Sequence, residues 1–230
     1  MTVDTAPAAG RMPEGPRPGL RERKKLRTRD ALLRSALGLF TERGYEETTV
    51  DDIVEAAEVS QRTFFRYFAS KEEAAFFPAR LSEAHFVESV RRRPAGEAPL
   101  DTLRRALSAS WDGIEETVGQ VVPLDLHLRF YRTVESTPAL LAAHLRRATE
   151  LEEEIARIIA AREGLDPDTD PRPRVVVAVF GAVLRAAERV WSARDDAGLA
   201  ELRDLTTSHL DRVETALTGA WHTSPAAGGR

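Results

Sequence analysis

The stretch Ala57–Glu73, AEVSQRTFFRYFASKEE, sets four aromatic rings (Phe64, Phe65, Tyr67, Phe68) among the cations Arg62, Arg66 and Lys71. A buried helix avoids the arginines and a solvated one avoids the phenylalanines. The mixture separates once it is wound at about 100° per residue. Phe64 and Phe68 then lie roughly 40° apart and face inward. Arg62, Thr63 and Arg66 occupy the opposite arc, with Gln61 and Phe65 beside them on one flank and Tyr67 on the other. Ser60 is placed to cap this short helix, Gln61 to Phe68, and Ser70 followed by Glu73 reads as a capping box for the next.

Upstream, the spacing of Leu33, Ala36, Leu37 and Phe40 predicts one buried face on a helix from about Leu20 to Arg43, stopped by Gly44. Thr49 and Asp52 form a second capping-box pattern, and Val50, Ile53, Val54 and Ala57 continue with apolar helical spacing. Two short helices joined by a tight turn, behind a longer one, describe a helix-turn-helix unit whose second short helix enters the DNA major groove. The outward residues suit that place. Arginine reaches guanine with two hydrogen bonds, glutamine pairs with adenine, and an apolar ring meets a thymine methyl. Tyr67 and Lys71, with the amides of the capped N-termini at Thr49 and Ser70, suit phosphate oxygens.

Charge supports the same division. The 230-residue chain has a net charge of −4, with 42% hydrophobic and 30% charged residues, ordinary for a globular protein. Residues 1–71 carry thirteen basic and eleven acidic residues, whereas 72–230 carry twenty and twenty-six. The segment 21–34, RERKKLRTRDALLR, alone holds seven basic against two acidic residues. A basic segment beside an acidic body points to an anionic partner at one end only. There is no cysteine, which excludes disulfides and thiolate chemistry and suits a reducing, cytoplasmic setting. No apolar run is long enough to span a bilayer, so no membrane role is expected. The N-terminus lacks the apolar core of a secretory signal.

The predicted organisation is all-α: a tail at 1–19, a helix-turn-helix domain at 20–69, a helical effector-binding and dimerisation domain at 70–221, and a tail at 222–230. Both tails are rich in Pro, Gly or Ala and are expected to be disordered. Body helices are expected at about 71–92, 99–118, 121–136, 138–163, 172–194 and 197–218, with prolines at the joints. In VVVAVFGAVLRAAERVW (175–191), Ala178, Gly181, Ala182 and Ala186 form a small-residue stripe that permits close helix approach. With Leu210 of the last helix they are the candidate dimer interface. Phe77, Trp111, His127, Phe130, Tyr131, Phe180 and Leu184 are the candidate lining of an effector cavity, with Phe86, Leu124 and Trp191 beside them and Arg129 or Arg185 as a polar handle. His85, His127 and His144 lack the spacing of a helical metal site, and no nucleophile elbow, phosphate loop or dinucleotide fingerprint occurs, so neither metal nor cofactor nor catalysis is expected.

The segment TTVDDIVEAAEVSQRTFFRYFASKEE (48–73) resembles the DNA-binding motif of the TetR family of bacterial repressors. The matching positions are Phe40, Gly44, Tyr45, Thr49, Ile53, Ala57, Val59, Ser60, Thr63, Phe64, Phe65, Tyr67, Phe68 and Lys71, and the likeness covers roughly residues 21–75. It implies a homodimeric, ligand-responsive regulator, more often a repressor, on a near-palindromic double-stranded DNA operator. It further implies that Gln61, Arg62, Thr63, Phe65 and Arg66 lie at the bases, that Thr49, Tyr67 and Lys71 hold the backbone, that Ser60 belongs to the DNA-binding set, and that a basic arm with Lys24, Lys25 and Arg27 adds phosphate or minor-groove contacts. The effector is expected to be small and apolar. The wording RTFFRYF is similar to a branch that senses acyl-CoA, which makes an acyl-CoA-like molecule one candidate. The rival reading is an all-helical binding module or enzyme with a basic helical head. One position departs from the pattern: Glu58 stands where the family places the turn glycine.

Overall fold

The computed structural model describes residues 19–194 and 198–219, and the expected tails at 1–19 and 222–230 lie outside it except for Gly19. Every regular element among the described residues is helical. Helix α1 spans Leu20–Arg43, α2 Val50–Ala56, α3 Gln61–Phe65 and α4 Lys71–Arg92. The body continues with α5 Pro99–Asp112, α6 Leu124–Ser136, α7 Pro138–Glu163, α8 Arg172–Ser192, α9 Leu199–Leu210 and α10 Val213–Thr218.

The capping chemistry is the one the sequence encodes. Thr49 Oγ1 accepts from the Asp52 amide at 3.2 Å, and Asp52 returns a carboxylate oxygen to the Thr49 amide at 2.7 Å. The Thr49 hydroxyl, which also donates to that carboxylate, and then the Thr49 amide hold the Asp52 carboxyl below its ordinary range. Ser60 accepts from the Thr63 amide and Ser70 from the Glu73 amide, at 3.2 and 3.1 Å. The Glu73 carboxylate reaches back to the Ala69 amide, one residue before the cap.

Three expected helices are interrupted. The one expected at 99–118 ends at Asp112 and resumes as a π-helical turn over Glu115–Gly119. The next starts at Leu124, directly after Pro123, rather than at 121. The last divides at Asp211–Arg212, where Arg104 of α5 pairs with the Asp211 carboxylate. Helix α3 closes at Phe65, but the turn that follows, with the Phe68 amide on the Phe64 carbonyl at 3.0 Å, still carries Phe68 inward.

One core runs from the helix-turn-helix into the body. Leu33, Leu37, Phe40, Ile53, Phe64 and Phe68 join Phe130, Val134 and Leu140 in a single buried cluster. The Phe40 ring lies 5.1 Å from that of Tyr45 and 5.8 Å from that of Phe130 on α6. A second cluster, built from α4, α5, α7 and α8, fills the far half of the body.

The turn between α2 and α3 is a Schellman motif. The Val59 amide donates to the Val54 carbonyl at 2.9 Å and the Glu58 amide to the Glu55 carbonyl at 3.1 Å. Glu58 takes the left-handed position of that motif with φ of 52°, the only positive φ outside glycine among the described residues. A non-glycine residue there costs about 1–2 kcal/mol. Replacing Glu58 by glycine is expected to leave the melting temperature unchanged or raise it by about 2–4 °C, read in a thermal melt of the full chain. A clear fall would show that the Glu58 side chain stabilises the turn by more than the strain costs.

Candidate nucleic-acid interface and effector cavity

Helix α3 is held from behind and bare in front. Phe64 and Phe68 are buried, with ring centroids 5.6 Å apart, and Phe68 meets the edge of Phe77 at 5.6 Å. On the outward face Gln61, Arg62, Phe65 and Arg66 are exposed, Phe65 at 54%. The Gln61 amide is tied to the Asp51 carboxylate at the start of α2, and the Arg66 guanidinium lies over the Tyr67 ring at 5.1 Å. Thr63 is half-buried and its hydroxyl is shared with Ser60 at 3.0 Å. Lys24, Lys25 and Arg27 are exposed on the first turns of α1, which run out beyond the core.

Lys71 stands apart from the other expected DNA contacts. Its ammonium donates to the carbonyls of Tyr45 and Thr48 at 2.8 and 3.1 Å and lies 4.3 Å from the centre of the Tyr45 ring. It pins the loop between α1 and α2 to the start of α4.

In the body a cavity of about 220 Å³ opens among α4 to α9. Trp111, His127, Tyr131, Phe180 and Leu184 line it as the sequence leads one to expect, together with Phe86 and Arg185. Phe77 and Phe130 do not. Phe77 packs on Phe68 beneath the guanidinium of Arg29, and Phe130 fills the joint against Phe40. Leu124 and Trp191 are likewise outside the lining, and Arg129 pairs with Asp125. The polar residues that sequence reading missed are Ser82, Glu83, Ser110, His144, Glu152 and Glu188. A signal for one existed: Glu188 sits at i+4 from Leu184 and i−3 from Trp191, an acid on the apolar face of α8.

Of the dimer candidates, Ala178, Ala182 and Ala186 are exposed with Val175 and Val190 in one stripe along α8. Gly181 turns the other way, into the cavity wall against Glu152 and Arg185. Leu210 is 4% exposed and belongs to the body core, so it is no part of that stripe. No group of described residues has the composition of a metal site, and no described helix is long and apolar enough to cross a membrane.

Comparison with known proteins is consistent with this geometry. Residues 32–73 match the family of bacterial regulatory proteins described as tetR, and residues 97–218 match the MftR C-terminal domain. The chain is 47% identical over 215 residues to the HTH-type transcriptional regulator TcmR of Streptomyces glaucescens, covering 94% of each chain. It is 29% identical over 187 residues to a transcriptional regulator named MftR of Mycobacterium tuberculosis, covering 77% of this chain and 88% of that one. Among solved structures, SmeT, the repressor of a Stenotrophomonas maltophilia multidrug efflux pump, has the same fold, with a TM-score of 0.54 at 18% identity over 82% of this chain and 89% of that one.

Two outcomes test the local chemistry. Lys71→Met removes charged hydrogen bonds worth about 1.5–3 kcal/mol each before relaxation, so the DNA-free protein is expected to melt several degrees lower. An unchanged melt with weakened DNA binding would assign Lys71 to phosphate alone. Burial lowers the His127 imidazole to about 4. Because its folded value lies below the unfolded one, the unfolded chain binds the extra proton first, and stability falls as pH drops from about 6.5 towards 4. The contribution at stake is about 3 kcal/mol. His127→Phe is expected to flatten that part of the stability–pH curve, and an unaltered curve would remove His127 from it.

Proposed function

This chain belongs to the TetR family of bacterial regulatory proteins and is a DNA-binding transcriptional regulator, not an enzyme; on that premise we propose that it is a ligand-responsive repressor that binds a near-palindromic operator as a homodimer in the cytoplasm. The observation that carries the reading is α3: a short helix anchored by Phe64 and Phe68 that offers Gln61, Arg62, Phe65 and Arg66 to the outside. Arg62 and Arg66 are the base readers, Phe65 the apolar contact, and Ser60, Thr63, Thr49 and Tyr67 flank them at the phosphates. The exposed first turns of α1, with Lys24, Lys25 and Arg27, extend the electrostatic footprint.

The exposed Val175, Ala178, Ala182, Ala186 and Val190 on α8 support a twofold contact between copies, since small side chains let two helices approach closely and an isologous patch closes on itself. Two heads so joined must stand about 34–36 Å apart, or a multiple, to read both half-sites. An effector in the body cavity acts by favouring a conformer with another spacing. The apolar lining supports a small, largely apolar effector. An acyl-CoA-like molecule fits only by leaving its anionic head outside, because the lining holds three glutamates and one arginine.

A gel-shift series on DNA from the gene's own upstream region tests the reading. Binding is expected to be sequence-specific and to weaken steeply with salt. Arg62→Ala is expected to cost about 1–3 kcal/mol on the operator and much less on random DNA. Equal losses on both would take Arg62 out of base recognition, and no specific site in any duplex would overturn the regulator's proposed mode of binding.

A further inference from the structure

The cavity carries charge of one sign at one end. Glu83 is paired with Arg147, and Glu152 with Arg185. Glu188 has no arginine or lysine partner among the described residues, and His144 Nε2 lies 3.7 Å away. Burial, and then the negative field of Glu188, Glu83 and Glu135, hold the Tyr131 phenol well above its ordinary range. The Glu188 and His144 side chains are about four-fifths buried, so a charge at that wall is screened less than one in open water.

Its other groups complete the setting. The rings of Tyr131 and His144 meet edge to face at 5.7 Å and 89°, a corner against which a cation can rest on π density. One turn before Tyr131, His127 is 7% exposed and its Nδ1 has no hydrogen-bond partner. A buried polar atom left open beside a cavity is accounted for when a ligand supplies the missing hydrogen. Apart from Ser82 and Ser110 the remaining lining is apolar, with Phe86 and Phe180 stacked at 6.0 Å.

We propose that the cavity takes a compact amphipathic amine whose ammonium lies at Glu188, against the corner of the Tyr131 and His144 rings, and whose apolar body rests on Phe86, Phe180 and Leu184. The proposal rests on the reading of this cavity as the effector site and specifies the effector's chemistry. A carboxylate or phosphate in the same place would face Glu188, while Arg147 and Arg185 are already engaged by Glu83 and Glu152. An uncharged analogue would fill the apolar half and leave the Glu188 charge uncompensated.

The test is a matched series on one ring system, 1-naphthylmethylamine, 1-naphthalenemethanol and 1-naphthoic acid, titrated calorimetrically into the full-length protein. The amine is expected to bind about tenfold more tightly than the alcohol, an increment of about 1.4 kcal/mol, and the acid not at all. Glu188→Gln, which keeps the side-chain shape, is expected to erase the amine's advantage and leave the alcohol's affinity alone. Equal binding of amine and alcohol to the wild type, tighter binding of the acid, or no binding by any of the three overturns the proposal without need of the variant. Operator release is followed separately by gel shift. Selective amine binding that leaves operator affinity unchanged supports the cation site and removes the effector role. Operator release by another ligand, with no amine selectivity, does the reverse.

Discussion

The packing of Phe40 against Phe130 is the contact on which the rest depends. It joins α1, the helix that backs the DNA-reading unit, to α6, the helix that forms one wall of the cavity. Phe130 and Val134 look towards the head, whereas His127, Leu128 and Tyr131 look into the cavity. The helical period divides these duties between two faces of thirteen residues. A close-packed joint of this kind does not deform smoothly, so a shift of α6 is either taken up by α1 or costs packing.

The head was legible because its chemistry is local. Caps, a stop glycine and apolar spacing act within four or five residues, and Thr49, Asp52, Ser60 and Ser70 make the bonds their positions imply. Helices α1, α4 and α7 keep the bounds that periodicity and proline placement assign them. The body was legible only as a set of helices. Phe77, Phe130 and Leu210 have the same apolar spacing as Phe180 and Leu184, and which of them meets a neighbour and which a cavity is decided by helices distant in sequence. The breaks near 113, 122 and 211 carry the same lesson, since the Asp211 break is met by Arg104, more than a hundred residues away.

Charge is distributed by function as well. In the body many arginines are paired with acids across helices, as in Arg91–Glu154, Arg147–Glu83 and Arg174–Glu153. Such exposed pairs contribute little stability each. Their effect is to leave few bare cations in the body, while Arg62, Lys24 and Lys25 remain open at the head. The chain can thus be acidic overall and still present a basic surface to DNA.

Helix α4 fixes how far a change in the cavity has to travel. Lys71 at its first residue grips the Tyr45–Thr48 loop, and Ser82, Glu83 and Phe86 line the cavity from its middle to about one turn beyond. From Lys71 to Glu83 is twelve residues, about 18 Å of helix. A tilt of roughly 5° about the cavity end moves the Lys71 end by about 1.6 Å, taking the helix as a rigid rod. Hydrogen bonds to base edges tolerate only a few tenths of an ångström before they weaken. Pro78, which lacks the amide for one ladder bond, lies between the two ends and is the one residue within α4 at which such a tilt can be partly absorbed. One continuous helix therefore links the loop held by Lys71 to the cavity, with Pro78 between them and Glu83 at the cavity end.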